Sequence, residues 1–320
     1  MTIVIDAHIP FLAGAVHNEW PEVVLCSLEP DQINASSVRN ADVLVVRTRT
    51  KINESLLKDS RVRMVCTATI GYDHIDTVYC ASHGIRWMSC PGCNAQAVCD
   101  YIEEALREMD NVHGTMCNSV PTIGVVGVGH VGSLVAKMAE RKGYKVLLND
   151  PPKQIGVSLD FIAQNSDIIT FHVPLDKTTH HMCDAAFLSK CKPGAVIINA
   201  ARGGVVDEQA LLASGHPFVL DTWENEPNID SNVLAKAQLA SMHIAGYSVQ
   251  GKRNATQMCL DAIAEQFALK PIDISQYPYD GPVESVKNSN EHWLAAIDKQ
   301  LKSNPTGFES LRKSYPLRGV

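Results

Sequence analysis

The stretch Gly127-Val128-Gly129-His130-Val131-Gly132 lies between the apolar run Thr122-Ile123-Gly124-Val125-Val126 and a helix-like stretch, Ser133–Arg141. A G-x-G-x-x-G motif alone is weak evidence, because glycine-rich turns are common in proteins. A motif that follows a strand and opens a helix is typical of a dinucleotide-binding βαβ unit. This stretch therefore predicts a parallel α/β fold with a dinucleotide bound at the turn.

The residues of the motif have separate tasks in such a unit. Gly127 permits the tight turn, Gly129 lets the backbone approach a pyrophosphate, and Gly132 lets the helix lie close to the strand. His130 and Val131 open the helix, where unpaired N–H groups and the helix dipole favour a diphosphate. We predict that all five residues contact the cofactor.

An acidic residue follows the next predicted strand. That strand, Lys145–Leu148, leads into Asn149-Asp150. A carboxylate about 20 residues after the last glycine accepts hydrogen bonds from the ribose hydroxyls and repels a 2′-phosphate. Asp150 therefore favours NAD over NADP. The alternative is a glycine turn with an unrelated surface acid, and the order of strand, turn, helix and acid argues against it.

Short β-branched runs alternate with helix-like stretches along most of the chain, which is the pattern of a parallel α/β fold. One helix is predicted over Asn94–Met109 from its apolar spacing. The predicted strands are Thr2–Ile5, Val23–Cys26, Val43–Val46, Met64–Thr67, Thr122–Val126, Lys145–Leu148, Asp167–Phe171, Ala195–Asn199 and Phe218–Leu220.

The composition excludes several classes of protein. The 320 residues carry a formal charge of −7, so no broad positive field attracts nucleic acid or an anionic membrane. No apolar run approaches the roughly 20 residues that cross a bilayer, and no secretory signal is recognisable, so a cytoplasmic protein is expected. The ten cysteines are read as reduced thiols. Cys90 and Cys93 form a C-x-x-C, but no second C-x-x-C completes a zinc site, and we predict no metal.

Three segments carry the candidate chemistry, and each begins where a strand is predicted to end. They are Ile198–Asp207, Leu220–Pro227 and His243–Tyr247. Open α/β sheets bind their ligands at the carboxyl ends of the strands. Together the three segments resemble the signature of the D-2-hydroxyacid dehydrogenases, which transfer a hydride between a 2-hydroxy acid and a nicotinamide cofactor.

The resemblance implies a role for each matching residue. Arg202 is the catalytic arginine, whose guanidinium can hold the substrate carboxylate. Glu226, rather than Glu224, is the catalytic glutamate, and His243 is the proton acceptor that it orients. The cofactor contacts implied outside the glycine motif are Val173, Asp221 and Gly246. His172, beside Val173, is interpreted as structural.

A basic cluster follows the strand Val43–Val46. If the extended conformation continues, Arg47, Arg49 and Lys51 lie on one side of the strand and call for an anion. A solvated strand edge is an equally good explanation from the residues alone. Three segments, Val46–Leu57, Thr67–Asp76 and Cys90–Ala95, resemble the branch of the family that oxidises 4-phospho-D-erythronate in vitamin B6 biosynthesis. That likeness implies that Thr48, Thr69 and Tyr247 contact the substrate, and it favours the basic cluster, with Arg47 and Lys51, as the site of the substrate phosphate.

The likeness also implies a domain arrangement. We expect two Rossmann-like domains: a flavodoxin-like substrate domain (residues 1–95 and 247–268) and an NAD-binding domain (residues 96–246). The proline-rich tail (residues 269–320) is expected to be an appendage that serves as a reduced dimerisation segment of a homodimer, with one helix near Ser289–Lys302. Arg312 and Lys313 could reach the active site of a partner chain, but they are interpreted as surface charges.

Two other functions remain open at this point. The chain could oxidise another D-2-hydroxy acid, such as 3-phosphoglycerate, glyoxylate or D-lactate. It could also be a protein that binds NAD as a sensor and transfers no hydride. The presence of Arg202, Glu226 and His243 together argues against a sensor, because a sensor has no chemical need for all three.

Overall fold

The computed structural model describes residues 1–113, 120–284 and 293–319. It contains two compact units, each with its own parallel sheet. Unit 1 is built mainly from Met1–Asn94 and Ser248–Val283, and unit 2 from Ala95–Tyr247 and Glu284–Arg318. Cys117 and the first residues of the helix predicted near Ser289–Lys302 lie outside the described residues.

Unit 1 has a five-stranded parallel sheet in the order β2-β1-β3-β4-β5, which is the strand order of flavodoxin. The core strands are apolar on both faces because helices cover both faces of such a sheet. Residues Val43–Val46 and Met64–Thr67 are all buried. The strands are β1 (Thr2–Asp6), β2 (Val24–Leu28), β3 (Val43–Val46), β4 (Met64–Thr67) and β5 (Arg86–Met88).

Unit 2 has a seven-stranded sheet in the order β12-β11-β10-β9-β6-β7-β8. Only the β7–β8 pair is antiparallel among the strand pairs described in this sheet. The strands are β6 (Thr122–Val126), β7 (Lys145–Asp150), β8 (Ile155–Gly156), β9 (Ile168–Phe171), β10 (Val196–Asn199), β11 (Phe218–Leu220) and β12 (Leu239–Ala240). Two further two-residue strands are β13 (Val283–Glu284) and β14 (Leu317–Arg318).

Many of the helices begin at a side chain that caps the first turn. Asp207 accepts from the backbone N–H of Ala210, and Ser248 accepts from that of Gly251. No helix among the described residues is long and apolar enough to cross a membrane. The helices are α1 (Leu12–Glu19), α2 (Ala35–Val38), α3 (Glu54–Leu57), α4 (Thr77–Ser82), α5 (Ala95–His113), α6 (His130–Arg141), α7 (Leu159–Asn165), α8 (Ala185–Leu188), α9 (Glu208–Ser214), α10 (Ser231–Lys236), α11 (Val249–Phe267), α12 (Trp293–Ser303) and α13 (Phe308–Ser314).

The predicted fold class is confirmed. Four predicted strands, β3, β4, β6 and β11, have the bounds that the apolar runs indicated. The sequence patterns missed β5, β8, β12, β13 and β14, which have only two or three residues each and so show little periodicity.

The C-terminal tail contributes to the core of unit 2. Trp293, Leu294 and Leu301 of α12 are buried in the same cluster as the sheet residues. The Trp293 ring meets the Tyr101 ring edge-on at a centroid distance of 6.0 Å. Phe308, at the start of α13, is fully buried. This part of the tail therefore lies on unit 2 and is held there by its apolar side chains.

Replacing Phe308 with alanine should destabilise unit 2 by about 3–5 kcal/mol, because a fully buried aromatic ring leaves a cavity. Phe161→Ala is the matched control, since the Phe161 side chain is 43% exposed. The midpoint of urea unfolding measures both variants. Equal midpoints for Phe308→Ala and the wild type would show that the tail does not belong to this core.

Candidate functional site

The glycine turn has the backbone that a dinucleotide requires. Gly127 has a φ of +87°, and a Cβ on it would lie 2.6 Å from the carbonyl oxygen of His172. A Cβ on Gly132 would lie 1.9 Å from the carbonyl oxygen of Gly127, so only glycine lets α6 approach the turn. Around Gly129 no described atom beyond the glycine and its two chain neighbours lies within 4 Å of a Cβ position, which leaves space for a ligand at the start of α6.

Asp150 lies at the end of β7 beside this turn. Its Oδ2 accepts a hydrogen bond from the Val128 N–H at 2.8 Å, so the carboxylate is held where a ribose would meet it. Val173 lines the same turn, because its Cγ1 would lie 2.8 Å from a Cβ on Gly127. These contacts fit NAD bound across the turn. Burial lowers the pKa of the neighbouring His172 to about 3, so this imidazole is neutral at cellular pH.

His243 and Glu226 form a hydrogen-bonded pair at the carboxyl end of the sheet. The Nδ1–H of His243 donates to Oε2 of Glu226 at 2.8 Å, which makes Nε2 the ring nitrogen that can accept a proton. Oε1 of Glu226 accepts from the Trp223 N–H at 2.9 Å. Burial alone would raise the pKa of Glu226, but the hydrogen bond and charge of His243 outweigh it, and the pKa is lowered. This geometry fixes the tautomer of His243 and allows Nε2 to accept a proton.

Asp221 holds His243 in place. Its side chain is almost fully buried, and its Oδ1 accepts from the Ser241 hydroxyl at 2.6 Å and from the Ile244 N–H at 2.7 Å. Its Oδ2 accepts from the Ala245 N–H at 3.0 Å. His243 itself has a φ of +57°, an unfavourable conformation for a residue with a side chain, so these bonds stabilise a strained turn. The same carboxylate is the predicted nicotinamide contact.

Arg202 lies in a loop that Asn199 frames. The Asn199 amide donates to the Arg202 carbonyl at 2.8 Å, and its oxygen accepts from the Ala201 N–H at 3.0 Å. Arg202 is half-buried and follows β10, the neighbour of β11. The loop lies tightly against the Glu226 segment, because a Cβ on Gly203 would be 2.0 Å from the Trp223 carbonyl oxygen.

His181 is a residue that the sequence patterns did not single out. Its backbone N–H donates to Gly204 in the Arg202 loop at 2.7 Å, and its Nε2 bonds to Glu224 at 2.5 Å. The Glu224 N–H in turn donates to the buried Glu208 at 2.6 Å. His181 thus connects the loop of Arg202 with the loop of Glu226.

Comparison with known proteins identifies the family. Residues 102–257 match the model of the D-isomer specific 2-hydroxyacid dehydrogenase, NAD binding domain. An erythronate-4-phosphate dehydrogenase of Bacteroides fragilis is 41% identical over 99% of this chain and 97% of its own length. Another, from Porphyromonas gingivalis, is 38% identical over 99% and 92%, respectively.

The chain belongs to the D-isomer specific 2-hydroxyacid dehydrogenase family. Within the family it groups with the erythronate-4-phosphate dehydrogenases, which confirms the branch that the resemblance indicated. The fold is that of the NAD⁺-bound 3-phosphoglycerate dehydrogenase of Entamoeba histolytica, with a TM-score of 0.70 over 84% of this chain and 95% of that one, at 23% identity.

The basic residues of this family member in unit 1 are arranged differently from the prediction. The strand β3 ends at Val46, and the Thr50 N–H donates to the Arg47 carbonyl at 3.2 Å, so the chain turns. Arg47, Arg49 and Lys51 therefore do not alternate along a strand. Arg47 forms two hydrogen bonds, of 2.9 and 3.1 Å, to the buried Asp6, because the neighbouring strands β1 and β3 end side by side.

Thr69, a predicted substrate contact, belongs to a directed chain of hydrogen bonds in unit 1. Its hydroxyl donates to the Gly71 carbonyl at 3.0 Å, so it can only accept from Thr67, at 2.6 Å. Thr67 must then accept from Nε2 of His74 at 3.0 Å. Burial lowers the pKa of His74, which favours the neutral ring. Thr48 is exposed on the turn after β3.

The C-x-x-C cysteines of unit 1, Cys90 and Cys93, are poorly suited to chemistry. Burial raises the pKa of Cys93 to about 12, and the pKa of Cys90 is also raised, mainly by the adjacent Cys259 thiol. A thiolate is the reactive form, so both side chains are unreactive. No group of His, Cys, Asp and Glu among the described residues could hold a metal.

The tail contradicts one prediction. Arg312 of α13 is not a surface charge, because its side chain is only 27% exposed and its Nε–H donates to the Tyr247 hydroxyl at 3.1 Å. Lys313 is more exposed, at 56%, as expected. The sequence could not show this, since nothing in the spacing of the tail relates Arg312 to Tyr247.

Gly246, a predicted cofactor contact, lies half-buried in the turn between His243 and Tyr247.

Glu208 predicts a pH dependence of stability. Burial raises its pKa from 4.5 to about 7, so the folded chain binds this proton more tightly than the unfolded chain. The contribution of this protonated carboxyl group to the free energy of unfolding is complete below pH 4.5 and is lost as the pH rises to about 7. As the pH rises from about 5 to about 8, the free energy of unfolding of Glu208→Gln should therefore increase relative to that of the wild type by up to about 3 kcal/mol.

Urea unfolding at the two pH values measures this change. Glu140→Gln is the control, because Glu140 is exposed on α6. A stability difference between Glu208→Gln and the wild type that does not change with pH would contradict the prediction.

Proposed function

We propose that the chain oxidises 4-phospho-D-erythronate at its 2-hydroxyl, with NAD as hydride acceptor, to give the 2-oxo acid and NADH. The observation that carries this proposal is the His243–Glu226 pair at 2.8 Å, in a chain 41% identical to an erythronate-4-phosphate dehydrogenase. The reaction would serve the pathway to vitamin B6 that the name of these relatives implies.

His243 is the proton acceptor in this proposal. Its Nε2 takes the proton of the 2-hydroxyl, while Glu226 stabilises the imidazolium that forms. Arg202 binds the substrate carboxylate and orients the C2–H bond. NAD bound at the glycine turn would accept the hydride that leaves C2. Asp221 keeps His243 in register, and its carboxylate is also the proposed contact of the nicotinamide amide.

The substrate phosphate is assigned to unit 1. Arg47, Thr48, Lys51 and Thr69 are the proposed ligands of this end of the substrate, with Tyr247 as a further contact. Arg47 is the weakest member of the set, because its charge is already neutralised by Asp6. Lys51 is exposed and forms no such ion pair with Asp6. Unit 1 would thus act as the substrate domain and unit 2 as the NAD-binding domain.

A homodimer in the cytoplasm remains part of the proposal. The free thiols of the described cysteines are typical of a reducing compartment. The tail is the proposed dimerisation segment, and light scattering after size exclusion would test it by giving the mass of one or two chains.

Replacing His243 with alanine should lower kcat by about 10²–10⁴-fold, because the proton acceptor is lost. NAD affinity, measured by titration calorimetry, should stay within about twofold of the wild type. His17→Ala is the control, since His17 is exposed on α1. Undiminished turnover in His243→Ala would refute the proton transfer, and a wild type that binds NAD without turnover of any 2-hydroxy acid would favour a sensor.

The phosphate assignment predicts a substrate preference. The kcat/KM for 4-phospho-D-erythronate should exceed that for D-erythronate by about 100-fold, since charged hydrogen bonds to the phosphate are lost in the analogue. Lys51→Ala should lose about 10-fold with the phosphorylated acid and nothing with D-erythronate. Lys58→Ala, another exposed lysine after α3, is the control. A preference for D-lactate, glyoxylate or 3-phosphoglycerate would reject this substrate.

A further inference from the structure

Arg312 brings a cation from the tail to the catalytic pair of unit 2. Its Nη1 lies 4.0 Å from Oε2 of Glu226, the same oxygen that accepts the hydrogen bond of His243. Its Nε–H donates to the Tyr247 hydroxyl at 3.1 Å. Arg312 is therefore near one catalytic residue and in contact with a proposed substrate contact.

The guanidinium is incompletely paired. Glu309, one turn earlier on α13, lies 3.8 Å away, and Glu226 lies 4.0 Å away. Both distances exceed that of a hydrogen bond. Among the described residues only the Tyr247 hydroxyl accepts from this side chain, although a guanidinium has five N–H donors. A mostly buried arginine with unused donors is well suited to receive an anion.

The tail holds Arg312 firmly in this position. Phe308 is fully buried at the start of α13, and Tyr315 is 7% exposed at its end. Beyond the helix, Arg318 donates to the carbonyl oxygens of Ala97 and Ala245, and its guanidinium lies over the Trp293 ring. Both ends of α13 are thus anchored in unit 2, so the approach of Arg312 to Glu226 is a built feature of the unit.

The negative charge of Glu226 and of the substrate explains what a cation at the position of Arg312 would do. Glu226 is an anion, and a 2-hydroxy acid that also carries a phosphate brings several negative charges toward it. A cation near Oε2 of Glu226 offsets this repulsion. By donating to the Tyr247 oxygen, Arg312 also fixes the position of the phenol hydroxyl of a proposed substrate contact.

We propose that Arg312 is a substrate-binding residue that α13 supplies to the active site of its own chain, where it recognises an anionic group of the hydroxy acid and orients Tyr247. This inference rests on the proposed function and adds to it a specificity residue from outside the family's catalytic segments. The tail then has a role in the chemistry of unit 2, apart from any role in dimerisation.

Steady-state kinetics with 4-phospho-D-erythronate test the inference. In Arg312→Ala the KM for this acid should rise about 10–100-fold, while kcat falls less than about 10-fold and the KM for NAD is unchanged. Lys313→Ala is the matched control: the same helix, the same charge and the neighbouring position, but a more exposed side chain that pairs only with Glu309 among the described residues. It should stay within about twofold of the wild type.

Two rescue measurements separate binding from a structural role. Arg312→Lys keeps the charge and should recover part of the KM, and guanidinium ions added at millimolar concentration should lower the KM of Arg312→Ala but not that of Lys313→Ala. A KM within about twofold of the wild type in Arg312→Ala would overturn the inference. So would a raised KM that neither lysine nor guanidinium improves, because that pattern is expected of a structural residue.

Measurements on the wild type distinguish a failure of the proposed function from a failure of the Arg312 inference. If the wild type oxidises another 2-hydroxy acid and not 4-phospho-D-erythronate, the proposed substrate is wrong, and the same variants are measured with the acid that it oxidises. The Arg312 inference then stands or falls on the KM for that acid.

Discussion

The buried carboxylate of Asp221 is the constraint on which the catalytic geometry depends. A charge with 1% exposure is stable only if its oxygens are satisfied, and Asp221 accepts from the Ser241 hydroxyl and from the N–H groups of Ile244 and Ala245. Because Ser241 donates to Asp221, it must accept from the Tyr101 hydroxyl, at 2.8 Å. A shift of the His243 turn would leave a buried charge unpaired, so this network stabilises the turn that carries His243, the proposed proton acceptor.

The carboxyl end of the sheet in unit 2 is rich in acids, and their environments separate their roles. Glu226 keeps a lowered pKa because His243 donates to it, whereas burial raises the pKa of Glu208 to about 7. Glu224 is engaged by His181 and does not reach His243 in the described contacts. An anionic substrate can approach such a region only beside cations. In the proposed function Arg202 and Arg312 are these cations, in a chain whose formal charge is −7.

Much of the fold followed from local patterns. The glycine turn and its flanking strand and helix could be predicted because each residue's role depends on neighbours a few positions away: Gly132 is required by the carbonyl oxygen of Gly127. One expected arrangement, the row of cations after β3, was wrong, and a contact with a distant strand helps to explain it. Arg47 was placed in a row of cations seeking an external anion, yet Asp6 at the end of β1 already neutralises it. No spacing in the sequence relates residues 6 and 47, since only the pairing of β1 with β3 brings them together.

The sequence by itself determined the dinucleotide fold and the use of NAD, and it singled out Arg202, Glu226 and His243 as the proposed catalytic residues, because these depend on residue type and on motifs that are short in sequence. Only the tertiary structure decided which groups hold these residues. His181 connects the loop of Arg202 with the loop of Glu226, and Asp221 anchors the His243 turn. Arg312, from the C-terminal tail, contacts Tyr247. The physical reason is that a side chain's partners are set by where strands and helices meet in space, and Arg312 and Tyr247 become neighbours only when the apolar tail buries itself in the core of unit 2.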